Sequence, residues 1–155
     1  VAAGWSSLSI LRAFNKSGFG KLYSSDFPYF RLNNPEKYIG VVAKKETNLA
    51  NWYLDIRGDS ISLPAIKSKL ERNSIDIFHY DSDKSYSGRL MATKILKNKL
   101  AKNAILIFDD IQNNWHFHDF VKKEKLSFSI LEFKDKYVGI ASNSEIIKPS
   151  LNHKF

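Results

Sequence analysis

Ala104-Ile-Leu-Ile-Phe-Asp109-Asp110 is a continuously apolar run that ends in two acids, and Ile75-Asp-Ile-Phe-His-Tyr-Asp81 is a second strand-like run that ends in one. An unbroken apolar run of this length reads as a strand covered on both faces, as in a parallel sheet. Between the two runs, residues 85–102 place Ala92, Leu96 and Leu100 at i, i+4, i+8, flanked by Met91 and Ile95. That spacing predicts a helix with one apolar face. Strand, helix and strand in this order form the unit from which parallel sheets are wound.

The rest of the chain keeps the rhythm. KLYSSD at 21–26 reads as a short strand ending in an acid, and WYLDIRGD at 52–59 alternates apolar and polar residues. A helix follows over 62–71, with Pro64 placed in its first turn. After the 104–110 strand come a helix over 114–125 and two strands, 128–133 and 137–141. Lys134-Asp135-Lys136 joins those two as a tight antiparallel hairpin. Residues 27–51 fit less well: Phe27, Tyr29, Phe30 and Tyr38 mark a loop, with a short helix near 40–49. The pattern predicts a doubly wound α/β sheet, mostly parallel, with one antiparallel strand. The domain spans 1–148, with a tail at 149–155.

The chain has 155 residues, 43% apolar and 14% aromatic, which fits one folded domain and excludes wholesale disorder. No apolar run nears the ~20 residues that span a bilayer. There is no cysteine, hence no disulfide, thiolate zinc site or cysteine nucleophile. With no leader-like segment, the expectation is a soluble, cytoplasmic protein. The net charge is +8, but both halves are basic to the same extent. Residues 1–77 hold 11 Lys/Arg and 7 Asp/Glu; residues 78–155 hold 13 and 9. Only five of the 24 basic residues are Arg, the residue that base and phosphate recognition favours. Solvated lysines explain the charge better than a nucleic-acid partner does.

In a doubly wound sheet, ligands bind beyond the carboxyl ends of the parallel strands. Asp26, Asp59, Asp81 and the pair Asp109-Asp110 all fall there. A single acid at such a place also serves as a helix N-cap, as Asp110 would for the helix after it. Gly4-Trp5-Ser6-Ser7 precedes the helix-like run 8–14, where free N–H groups could meet an anion; Ser6 or Ser7 serves equally well as a plain N-cap. His79 reads as a core histidine, and His116 and His118 as exposed helical residues. His153 lies in the tail.

The ordered set Val1-Ala-Ala-Gly4-Trp-Ser6-Ser7, Asp26, Gly58-Asp59-Ser60, Asp76 to Tyr86 and Ile105 to Asp110 resembles the class I S-adenosylmethionine-dependent methyltransferases over about residues 1–143. The nearest branches are the metal-dependent small-molecule O-methyltransferases, of the catechol and caffeoyl-coenzyme A type, and the cephalosporin-hydroxylase-like group. Asp81, Lys84 and Tyr86 follow an Asp-x-x-Lys-x-x-Tyr pattern with the tyrosine one residue closer. The resemblance implies S-adenosylmethionine as cofactor. It assigns Gly4, Ser6 and Ser7 to the turn at the methionine carboxylate, Asp26 to the ribose hydroxyls, and Asp59 with Ser60 to the adenine. Asp81 joins the cofactor contacts and, with Asp109 and Asp110, implies a magnesium or other divalent site. The family has Asn at the position of Asp110. Lys84 takes the place of the general base. The alternative to Lys84 as base is a solvated or ion-paired lysine.

Methyl transfer to an oxygen of a small molecule is therefore the expected reaction. Two alternatives stand beside it: a metal-free methyltransferase of a sugar or other metabolite, and a non-catalytic or nucleic-acid-binding remnant. In the family a central strand precedes the Gly4 turn, and here Val1 falls directly after it. The first strand is expected to be truncated, which would expose two edges and favour a homodimer.

Overall fold

The computed structural model describes residues 1–144, so the tail at 149–155, with His153, lies outside the described residues. They form two compact units, Val1–Lys69 and Leu70 onward.

In the first unit, helix α1 (Trp5–Ser17) buries Leu8 and Leu11, one helical turn apart, on Ala43 of the short helix α2 (Val41–Glu46). Leu22, Val42, Leu49 and Trp52 pack around them. Strands β1 (Leu22–Ser25) and β2 (Trp52–Asp55) pair in parallel, and helix α3 (Asp59–Lys69) follows. The turn before α1 is locked to α2: Gly40 and Val42 donate their N–H groups to Ala2 and Ala3 at 2.8 and 2.9 Å. Gly4, at φ +99°, sits so close that a Cβ would lie 2.8 Å from the Gly40 Cα. Only glycine fits there.

Three expectations shift in this unit. The helix begins at Trp5, so Ser6 and Ser7 belong to its first turn rather than to a loop before it. β2 ends at Asp55, not Asp59, and Asp59 opens α3 three residues earlier than expected. Pro64 is therefore inside α3, beyond its first turn. Asp55 explains the early end of β2. It is buried, it accepts from Arg57 Nε and Ser62 Oγ at 2.9 Å each, and it thereby closes the loop into α3.

In the second unit, β3 (Ile75–Tyr80), β4 (Leu100–Phe108), β5 (Ser127–Phe133) and β6 (Lys136–Ser142) form one sheet in the order β3-β4-β6-β5. β3 and β4 are parallel, and β6 runs against both its neighbours, the one antiparallel strand expected. The hairpin turn is two residues, Lys134 and Asp135, both at positive φ. Two left-handed residues match the twist of the flanking strands.

Helices α4 (Tyr86–Leu96) and α5 (His116–Glu124) bury Ala92, Leu96, Phe117 and Val121. The buried sheet side chains are Phe78, Tyr80, Ala104, Leu106, Phe108, Ala141 and Ser142. Gly139 admits the Phe117 ring, which would lie 2.6 Å from a Cβ. The apolar run of β4 is not covered on both faces. Ile105 is 43% exposed and its cross-strand partner Ile77 is 63% exposed. The helix expected over 85–102 also stops early, at Leu96, and passes through a 3-10 turn (Lys97–Lys99) into β4. Leu100 thus belongs to the strand. No helix among the described residues is long and apolar enough to cross a membrane.

Candidate functional site

Two groups of side chains gather at the carboxyl ends of parallel strands, one in each unit. In the first, Asp26 follows β1. Its Oδ2 accepts from Ala2 N–H at 2.8 Å and its Oδ1 from Phe27 N–H at 2.6 Å. Gly58 N–H donates to the Asp26 carbonyl at 3.0 Å, so the loop into α3 lies against the loop after β1. Asp59 Oδ1 accepts from Ser25 Oγ at 2.6 Å, while its Oδ2 is buried with no partner among the described residues. Gly4 and Ser7 are buried; Ser6 and Ser60 are exposed. The first N–H groups of α1 have no partner within the helix, as at any helix start. Phe27, which the sequence reading did not single out for a role, is 60% exposed and packs on Gly58. The Gly4 turn, Asp26 and Asp59 therefore line one rim.

In the second unit, Asp81 follows β3, and Asp109 and Asp110 follow β4. Asp109 N–H donates to the Tyr80 carbonyl at 3.0 Å, which extends the pairing to the strand ends. One oxygen from each of the three carboxylates lies within 4.8 Å of the other two. Asp110 does not cap the turn after it: no capping bond forms, and its φ of +49° turns it left-handed. The Lys84 ammonium instead sits among the three acids. It hydrogen-bonds Asp81 Oδ1 and lies 3.2 Å from Asp110 Oδ2 and 3.7 Å from Asp109 Oδ2. Burial would lower the pKa of Lys84, but the hydrogen bond and charge of Asp81, then of Asp110, raise it. Burial would raise that of Asp110, yet Lys84, with Lys136 behind it, holds it below the ordinary carboxylate range.

The sequence reading missed what holds this cluster. Arg89 is fully buried, and its Nη2 donates to the carbonyls of Asp109 and Asp110 at 2.8 and 2.9 Å. It therefore clamps the left-handed Asp110 from behind. The signal was present, because Arg89 precedes Ala92 and Leu96 by three and seven residues on the apolar face of α4. Asn114 Nδ2 donates to the Lys84 carbonyl at 2.6 Å and fixes that loop.

Two of the histidines also reverse, while His118 is exposed on α5 as expected. His79 is exposed, whereas His116 is 1% exposed, stacked on Phe120 at 5.7 Å and edge-on to Tyr86 at 5.4 Å. Burial, aided by the charge of Arg89, pushes the His116 pKa down to about 4 against the pull of Asp119. The unfolded chain takes up a proton near pH 6.5 that the folded chain refuses until about 4. Stability should therefore fall between those pH values, by roughly 2–3 kcal/mol from this group. Urea midpoints at pH 7 and pH 5 measure it, and His116→Phe should flatten the slope in that window.

A methyltransferase-domain family model matches residues 1–111. The chain belongs to this family. The methyltransferase domain is also similar in fold to three solved structures. For a methyltransferase from Geobacter sulfurreducens the TM-score is 0.57 at 16% identity, covering 81% of this chain and 60% of that one. A Corynebacterium glutamicum protein gives 0.55 at 10%, covering 81% and 62%. A Streptococcus mutans protein in complex with SAH gives 0.53 at 15%, covering 79% and 75%. The domain thus spans about 60% of the length of the first two. No curated protein matches it.

Proposed function

We propose that this domain binds S-adenosylmethionine and transfers its methyl group to a hydroxyl oxygen of a small molecule. The observation that carries the cofactor half is the rim of the first unit. Asp59 offers a buried carboxylate oxygen with no donor among the described residues, which fits an amino group of the adenine. Asp26 is the acceptor for the ribose hydroxyls, and Phe27 offers the adenine an exposed ring. The Gly4 turn and the start of α1, with Ser6 and Ser7, present N–H groups to the methionine carboxylate. SAH in the Streptococcus mutans relative is the demethylated form of the same cofactor.

In the reaction, the bond between sulfur and methyl carbon breaks as the acceptor oxygen forms its bond to that carbon. The sulfonium becomes a neutral thioether, and the hydroxyl proton must leave. The three carboxylates offer an all-oxygen donor set that fits magnesium, manganese or calcium. Such a cation, when bound, lowers the pKa of an acceptor hydroxyl. Lys84 is the proposed proton acceptor. While the three acids hold its ammonium it keeps its proton, so base function requires that it leave them and give up that proton before it takes the one from the acceptor hydroxyl. Binding of S-adenosylmethionine to the full chain, measured calorimetrically, tests the reading. Absence of binding at millimolar cofactor would refute it.

A further inference from the structure

The acid cluster is already balanced by the chain's own bases. Against the three carboxylates stand the Lys84 ammonium among them, Lys136 with its Nζ 3.7 Å from Asp110 Oδ1, and the buried Arg89 behind the Asp109 and Asp110 carbonyls. A divalent cation would have to bind the carboxylates that Lys84 now holds, and two cations cannot share so small a space without strong repulsion. Arg89 cannot yield, because it is buried and bonded to two carbonyls. Lys136 has no need to, because its side chain is 65% exposed and reaches the rim only at Asp110.

Lys84 can. Its side chain is 32% exposed and ends a flexible four-carbon stem. Its backbone is held separately, by Asn114 on its carbonyl and, next door, by Asp83 Oδ1 on the Ser85 N–H at 2.8 Å. The side chain can therefore swing out while the loop stays in place.

We propose that Lys84 is a built-in counter-ion that stands in for a divalent cation, and that such a cation enters only by displacing its ammonium from Asp81, Asp109 and Asp110. This rests on the metal-assisted reading of the cluster and adds a control to it. Cation entry and departure of the Lys84 ammonium become one event, so the side chain leaves the three acids only when the site is loaded.

Manganese binding to the full chain, followed by the electron paramagnetic resonance of the free ion, tests this without any turnover. Lys84→Met removes the charge and keeps the stem, and its affinity should rise by about tenfold or more once the competing charge is gone. Lys84→Arg, which keeps the charge, should bind no tighter than the parent. Asp109→Asn added to Lys84→Met should abolish the gain, which assigns the ion to this cluster. Lys84→Gln serves as a second neutral variant, and manganese should raise its melting temperature more than that of the parent. Equal affinity in parent and Lys84→Met would overturn the displacement and leave the metal reading standing. Binding by neither at millimolar manganese would overturn both. Weaker binding by Lys84→Met would make Lys84 a supporting group and overturn the proposal.

Discussion

Arg89→Ala should lower the stability of the second unit by about 3–5 kcal/mol, a fall in Tm of roughly 10–15 °C. Two effects add. The carbonyls of Asp109 and Asp110 lose donors at 2.8 and 2.9 Å, and a long, fully buried side chain leaves a cavity. Arg89→Met keeps most of the volume and should cost less, because a well-packed apolar replacement spares the desolvation of a buried charge. Both variants remove the clamp on Asp110. Thermal melts of the two, compared with the parent, separate packing from hydrogen bonding. A melt of Arg89→Ala within ~2 °C of the parent would show that the clamp carries no weight.

Asp26→Ala and Asp59→Ala should each weaken S-adenosylmethionine by about 1–3 kcal/mol, roughly 5- to 150-fold in Kd. The two residues are expected to differ in what else they disturb. Asp26 also accepts from Ala2 and Phe27, so its loss loosens the turn before α1, and Asp26→Asn should recover part of that order. Asp59 accepts from Ser25 with one oxygen and has no donor for the other among the described residues, so Asp59→Ala should act on affinity more than on stability. Calorimetric titration reads both. Parent-like binding by both variants would mean that the cofactor does not use this rim.

Much of this was legible because strand ends carry their own marks. The acids that end 21–26, 75–81 and 104–110 predicted where β1, β3 and β4 would stop, and the convergence of Asp81 with Asp109 and Asp110 followed from the parallel pairing of β3 and β4. The misreadings have local causes. Leu100 continues the i, i+4 pattern of Ala92 and Leu96, so periodicity alone extended α4 into a strand. In Ile75–Tyr80 both faces carry apolar residues, and nothing in the sequence says that Phe78 and Tyr80 turn inward while Ile77 and His79 turn out. WYLDIRGD offers two acids as the end of β2. The choice of Asp55 depends on Arg57 and Ser62, which bind it from two and seven residues further on. Arg89 and His116 were passed over because charge and imidazole read as surface, although each sits at helical spacing from buried apolar neighbours.

On the proposed reading the rim of the first unit holds S-adenosylmethionine. Calorimetric titration of the full chain with S-adenosylmethionine and, in parallel, with SAH measures it most directly. Saturable binding of both ligands at one site per chain, lost or weakened in Asp59→Ala, is the predicted result. A flat titration with both ligands at millimolar concentration, on protein that unfolds cooperatively, would contradict it.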